Sequence, residues 1–267
     1  MRYSGLLLIA ALILGGELLF SQDTLVFERN YLPGVNRTLV FSPGVTDTPS
    51  AGFPLVYLLH GYDGSSSDWN KHISLKKVSD ETGFIIVCPD GYKNSWYVES
   101  PIQDSCKYRT FFNQDLKPAI NKRYKINKSG IFITGLSMGG QGAINIFLDN
   151  RDYFRSAGSM SGILNITAYQ GKWQISQRLG SYEEKTDEWN KYNCVYKISS
   201  VSNPDFRLIV NCGTEDFAYP VNIEFKNAAE KAGVNIKFIS EPGNHNWDFW
   251  VKSLPVHLKF FKDLINE

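Results

Sequence analysis

No sign of charge dominates this chain: 28 lysines and arginines stand against 27 aspartates and glutamates, a formal net charge of +1 over 267 residues. The charges are spread along the sequence, so no basic footprint marks a nucleic-acid or acidic-lipid partner. Recognition falls to a pocket. Histidine and cysteine are scarce, four of each, and none of them stands at the paired spacing of a zinc site. The sequence calls for neither metal nor cofactor. Internal repeats and low-complexity tracts are also missing, which removes solenoid and array architectures. What is left is 43% hydrophobic and 21% charged, the composition of one globular α/β domain.

A leader-like apolar run is confined to the start. Arg2 precedes an apolar stretch from Leu6 to Phe20, and polar Ser21, Gln22 and Asp23 follow. That is the order of a secretory signal peptide. Gly15, Gly16 and Glu17 interrupt the stretch and leave it short for a membrane span. The expectation is a leader over 1–21, a single domain over 22–267, and a secreted or periplasmic protein without stable membrane insertion. Such a compartment lets disulfides persist. Cys88 and Cys212 each end an apolar run and read as buried thiols, whereas Cys106 and Cys194 lie in polar stretches. A bridge between the latter two stays open on sequence alone, as does the oligomeric state.

Apolar runs at Thr24–Phe27, Thr38–Phe41, Leu55–Leu59, Phe84–Cys88, Ile131–Thr134, Leu208–Cys212 and Ile236–Ile239 predict strands. Helical spacing appears at Leu75–Glu81, Phe111–Arg123, Gly140–Leu148, Val221–Ala232 and Phe249–Leu264. Strand and helix alternate, which predicts a mostly parallel, doubly wound sheet that opens with an antiparallel pair. The polar and aromatic stretch from Asn165 to Asn203 breaks the alternation and reads as a lid-like insert.

Gly135-Leu136-Ser137-Met138-Gly139 follows the apolar strand Ile131–Thr134 and leads into a small-residue helix. Gly-x-Ser-x-Gly in that setting puts a serine on a strained strand-to-helix turn, its hydroxyl in the open. Serine is a weak nucleophile at neutral pH and needs a base that is itself held by an acid. In this arrangement both follow the serine in the chain, which leaves His245 and His257. His257 lies inside a helical pattern, whereas His245 sits in the turn-rich Gly243-Asn244-His245-Asn246 directly after the last predicted strand. His245 is the expected base. Gly213-Thr214-Glu215-Asp216 ends the strand Leu208–Cys212, and Asp216 is the expected acid, with Glu215 its competitor. Asp248 begins the final helix and is set aside. The oxyanion hole is expected from the backbone N–H groups of Met138 and Tyr62, the latter in His60-Gly61-Tyr62 after the strand Leu55–Leu59. His60 reads as a structural residue and His72 as a surface one. Trp96 and Tyr97, with the insert, are expected to border the substrate pocket.

These segments carry a resemblance. Leu58-Leu59-His60-Gly61, Asn94-Ser95-Trp96-Tyr97, Gly135 to Gly140, Gly158-Ser159-Met160-Ser161-Gly162, Cys212 to Asp216 and Gly243 to Trp247 are similar to the esterase family of α/β-hydrolases that includes S-formylglutathione hydrolases, feruloyl and acetylxylan esterases, and tributyrin-type esterases. One departure is Asn244, where many relatives have glycine. The resemblance implies the α/β-hydrolase fold, with nucleophile, acid and base at Ser137, Asp216 and His245, and hydrolysis of esters, often on carbohydrate. Three alternatives stay open: an acyltransferase sharing the first half-reaction, an S-formylglutathione-type thioesterase, and a carbohydrate-binding protein on an inactive scaffold.

Overall fold

The computed structural model describes residues 22–45, 48–201 and 206–267. The predicted leader over 1–21 lies outside them. Two strands, β1 (Asp23–Phe27) and β2 (Asn36–Phe41), come first and pair antiparallel without an intervening helix. β3 (Phe53–Leu59) follows, then short helix α1 (Asp68–His72), α2 (Leu75–Thr82) and β4 (Ile85–Cys88). Next comes α3 (Tyr108–Phe111), which runs through a π-helical turn at Phe112–Leu116 into α4 (Lys117–Arg123). β5 (Ile126–Gly135) leads into α5 (Met138–Asp149), and β6 (Ser156–Met160) follows. The insert folds as a 3-10 turn at Ile166–Tyr169 with short helices α6 (Ser176–Leu179), α7 (Thr186–Tyr192) and α8 (Cys194–Ser199). β7 (Arg207–Gly213), α9 (Tyr219–Lys231), β8 (Asn235–Glu241) and α10 (Trp247–Ile265) complete the described chain.

The strands form one eight-stranded sheet in the order β1-β2-β4-β3-β5-β6-β7-β8, parallel from β4 to β8. β3 illustrates why its interior strands read as unbroken apolar runs. Leu55, Tyr57 and Leu59 enter a core shared with α5 and α9, while Val56 and Leu58 enter another shared with α2 and α10. Successive side chains point to opposite faces, and helices cover both. Each such burial contributes about 1.5–3 kcal/mol. Among the described residues no helix is long and apolar enough to cross a membrane.

Sequence patterning missed β6. Its sequence Ser-Ala-Gly-Ser-Met lacks the branched and aromatic residues that signal a strand. The small side chains serve an approach from α10: a Cβ at Gly158 would lie 2.4 Å from Nδ1 of His257. His257 was expected on a helix face, and that face turns out to be fully buried against the sheet. Its Nε2 lies 3.1 Å from Oδ1 of Asn211 on β7, and its Nδ1 2.9 Å from Oγ1 of Thr134 on β5. A neutral ring satisfies both, with Nε2–H donating to Asn211 and Nδ1 accepting from Thr134. Burial pushes the imidazole down to about 3.

The four cysteines are buried free thiols, Cys106 and Cys194 included, so the structure holds no bridge between those two. Cys194 opens α8 against α5, its Sγ 3.5 Å from the carbonyl of Gln141.

Candidate active site

β5 ends at Gly135 and α5 begins at Met138, which leaves Ser137 on the turn between them. Its φ of 52° and ψ of −117° lie in territory costly to a residue with a Cβ, on the order of 1–3 kcal/mol. Backbone bonds hold it there: its N–H donates to Met160 O at 2.9 Å, and its carbonyl accepts from Gln141 N at 3.1 Å. The flanking glycines have a steric reason. A Cβ at Gly139 would lie 2.5 Å from His60 O and 2.6 Å from Leu59 O, and one at Gly135 would lie 2.6 Å from Gly139 O. Only bare backbone lets β3, β5 and α5 meet so closely.

Three loops at the carboxyl edge of the sheet bring Ser137, His245 and Asp216 together. His245 Nε2 lies 2.9 Å from Ser137 Oγ, and its Nδ1 lies 2.9 and 3.0 Å from the two oxygens of Asp216. An ionised carboxylate only accepts, so Nδ1 carries the proton and Nε2 presents its lone pair to the hydroxyl. The Asp216 side chain is fully buried and also accepts from Ala218 N at 2.7 Å. Its neighbour Glu215 is exposed and accepts from Gly243 N and Thr214 Oγ1 instead, which lowers its pKa. Glu215 ties down the loop that carries His245 without touching the imidazole. Asp248 is exposed in the first turn of α10.

On the other side of Ser137, no protein acceptor takes the backbone N–H of Tyr62 or of Met138 among the described residues. Both N–H groups are left unengaged, and that of Met138 lies at a helix N-terminus, a setting that favours negative charge. His60 sits beneath this loop, buried, its Nε2 accepting from Gly91 N at 2.7 Å and its Nδ1 donating to Gly61 O at 2.8 Å.

A cavity of about 530 Å³ opens over Ser137 and His245, a size suited to a small-molecule group. Trp96, Trp173, Phe217, Trp247 and Trp250 form much of its wall. Trp96 Nε1 donates to Trp173 O at 3.1 Å and so joins the loop after β4 to the insert. The insert thus reaches the cavity through Trp173, while Trp189 is fully buried and donates to Gly180 O at 3.1 Å within the insert itself. His72 is exposed and stacks on Trp247 with ring centroids 4.0 Å apart.

Tyr97 requires a correction. It was expected beside Trp96 in the substrate pocket, but it is buried in the core, with its hydroxyl on His60 O at 2.9 Å. Trp96 and Tyr97 both adopt left-handed backbone, φ 52° and 55°, and no sequence period describes where side chains point from such a kink. Phe217 was missed. It packs at a tilt against the His245 ring, centroids 4.3 Å apart with 41° between the planes, and Tyr169 of the insert donates to its carbonyl at 2.9 Å. Its place directly after Asp216 was the available signal. Among the described residues no group of three or more His, Cys, Asp or Glu could hold a metal.

Comparison with known proteins gives this geometry a context. The model of a family described as "Putative esterase" matches residues 32–261. An acetyl esterase of Caldicellulosiruptor saccharolyticus is 27% identical over 231 residues, covering 77% of this chain and 82% of that one. The diacylglycerol acyltransferase/mycolyltransferase Ag85A of Mycobacterium tuberculosis is 24% identical over 237 residues, covering 75% and 70%. Among solved structures, a ferulic acid esterase superposes with a TM-score of 0.76 at 27% identity, covering 91% of this chain and 97% of that one. The sheet and its helices are those of an α/β-hydrolase.

Proposed function

The chain belongs to this esterase family, and from that membership we propose that it is an exported serine carboxylic ester hydrolase working through an acyl-enzyme on short-acyl or feruloyl esters of carbohydrate. The observation that carries the chemistry is the relay from Ser137 Oγ through His245 to the buried Asp216, each step at 2.9 Å. Ser137 Oγ attacks the acyl carbon while Nε2 of His245 takes its proton. The carbonyl electron pair moves onto oxygen, where the N–H groups of Tyr62 and Met138 meet it. Collapse of the tetrahedral species breaks the ester C–O bond, and the leaving alcohol takes the proton from His245. Water then repeats the sequence on the acyl-enzyme and releases the acid.

The substrate class draws its support from the aromatic cavity wall, which suits sugar or phenolic faces, and from the relatives named acetyl esterase and ferulic acid esterase. Export draws its support from the leader-like residues 1–21. The relative named as an acyltransferase adds a second reading, transfer of the acyl group to a sugar hydroxyl instead of water.

Fluorophosphonate labelling followed by turnover of acetylated xylan, methyl ferulate, short-chain p-nitrophenyl esters and S-formylglutathione tests the proposal. Wild type should label and cleave the carbohydrate or phenolic esters, and Ser137→Ala should lose activity by on the order of a million-fold. Labelling and turnover retained in Ser137→Ala would refute the nucleophile. Preference for the thioester would refute the substrate class. Product analysis with and without a sugar acceptor separates hydrolysis from transfer.

A further inference from the structure

We infer that Tyr97 is a positioning residue for the oxyanion hole, latching the loop that carries the Tyr62 N–H onto the helix that follows the nucleophile. The inference rests on the serine-esterase reading. Its starting point is the carbonyl of His60, two residues before Tyr62. That oxygen faces the first turn of α5, close enough that a Cβ at Gly139 would lie 2.5 Å away. The Tyr97 hydroxyl donates to the same oxygen at 2.9 Å. The ring of Tyr97 is itself wedged between two glycines. A Cβ at Gly142, further along α5, would lie 2.5 Å from the ring, and one at Gly91, in the loop after β4, would lie 2.4 Å from its hydroxyl end.

Gly91 closes the circuit, because its N–H donates to Nε2 of His60 at 2.7 Å while Nδ1 donates to Gly61 O at 2.8 Å. The backbone of the oxyanion loop is therefore held at consecutive residues, at His60 by Tyr97 and at Gly61 by the His60 ring. Burial holds the phenol well above its ordinary pKa, so it remains a donor throughout the working pH range. A phenylalanine would fill the same space between Gly91 and Gly142. What only tyrosine adds is the hydrogen bond to the loop, and a preorganised oxyanion donor loses its value when it drifts from its aim.

Tyr97→Phe separates this role from packing. With rates normalised to fluorophosphonate-titrated sites, kcat on p-nitrophenyl acetate should fall about tenfold or more, less than the hundred- to thousand-fold cost of deleting a donor outright. KM should stay within about twofold, since ground-state contacts are untouched. Affinity for an alkylboronic acid, which mimics the tetrahedral species, should fall by the same factor as kcat. His60→Gln approaches the latch from its other side and should give the same split, which decides the matter if Tyr97→Phe does not fold. A kcat within about twofold of wild type in the folded variant would overturn the inference, as would a loss confined to KM or to the number of titratable sites. Wild type that neither labels nor turns over would overturn the esterase reading itself, and this inference with it.

Discussion

Replacing Asp216 by asparagine exchanges one oxygen for an amide nitrogen without changing the shape of the side chain, and the structure dictates which atom goes where. Oδ1 accepts from Ala218 N at 2.7 Å and lies 2.9 Å from His245 Nδ1, while Oδ2 lies 3.0 Å from that nitrogen. Turning the new amide nitrogen toward Ala218 would oppose two donors in a site with no solvent-exposed side-chain surface, at a cost of about 1–3 kcal/mol. The remaining oxygen therefore stays on Ala218, still 2.9 Å from Nδ1, and the amide nitrogen takes the Oδ2 place 3.0 Å from that nitrogen. The imidazole answers by accepting there, its proton moves to Nε2, and the Ser137 hydroxyl loses the lone pair that would take its proton. The wrong tautomer costs on the order of ten-thousand-fold in kcat, about 5 kcal/mol of transition-state stabilisation. The assay is kcat/KM on p-nitrophenyl acetate, with thermal melts to establish that the variant folds. Glu215→Gln is the control: it keeps an acceptor for Gly243 N and should stay within about fivefold of wild type. A loss below about tenfold at Asp216, or comparable losses at both positions, would refute the reasoning.

Removing His257 should act on stability rather than chemistry: His257→Ala leaves a void and deprives Thr134 and Asn211 of their partner, costing about 2–4 kcal/mol in denaturant melts with turnover per folded molecule preserved. Because its pKa is depressed to about 3 in the fold against 6.5 unfolded, the unfolded chain binds the proton first, so wild-type stability is full above pH 6.5 and falls as pH drops toward 3. The variant should show a flatter decline, and parallel pH profiles would count against a buried neutral ring. Gly139→Ala drives a methyl into the Leu59 and His60 carbonyls; soluble protein of wild-type activity would show that the close approach is not required. Phe217→Ala, which strips the ring packed against His245, should change the ratio of rates on methyl ferulate and p-nitrophenyl acetate by roughly tenfold, the effect of about 1.4 kcal/mol of differential binding; an unchanged ratio would remove Phe217 from substrate selection.

Much of this protein is written in local patterns. Unbroken apolar runs such as Leu55–Leu59 imply strands covered on both faces, and the strand–Gly-x-Ser-x-Gly–helix sequence implies a strained turn at Ser137, because both are properties of contiguous backbone. Chain order then narrows the base and acid to loops that end later strands. The same dependence on local pattern explains what was not legible. β6 is invisible as Ser-Ala-Gly-Ser-Met because its small residues answer to His257, about a hundred residues downstream. The insert's two tryptophans look alike in sequence, yet Trp173 lines the cavity and Trp189 is buried, bonded to Gly180 of the insert itself. Tyr97 and Trp96 are adjacent, but consecutive left-handed residues send one into the core and leave the other on the cavity wall. Phe217 reaches the His245 ring only because β7 and β8 are neighbours in the sheet. Composition, periodicity and motif order determined the architecture and singled out the candidate reactive groups. Which side chains brace them, and which line the cavity, the tertiary structure decided, because those contacts join segments whose separation along the chain carries no local signal.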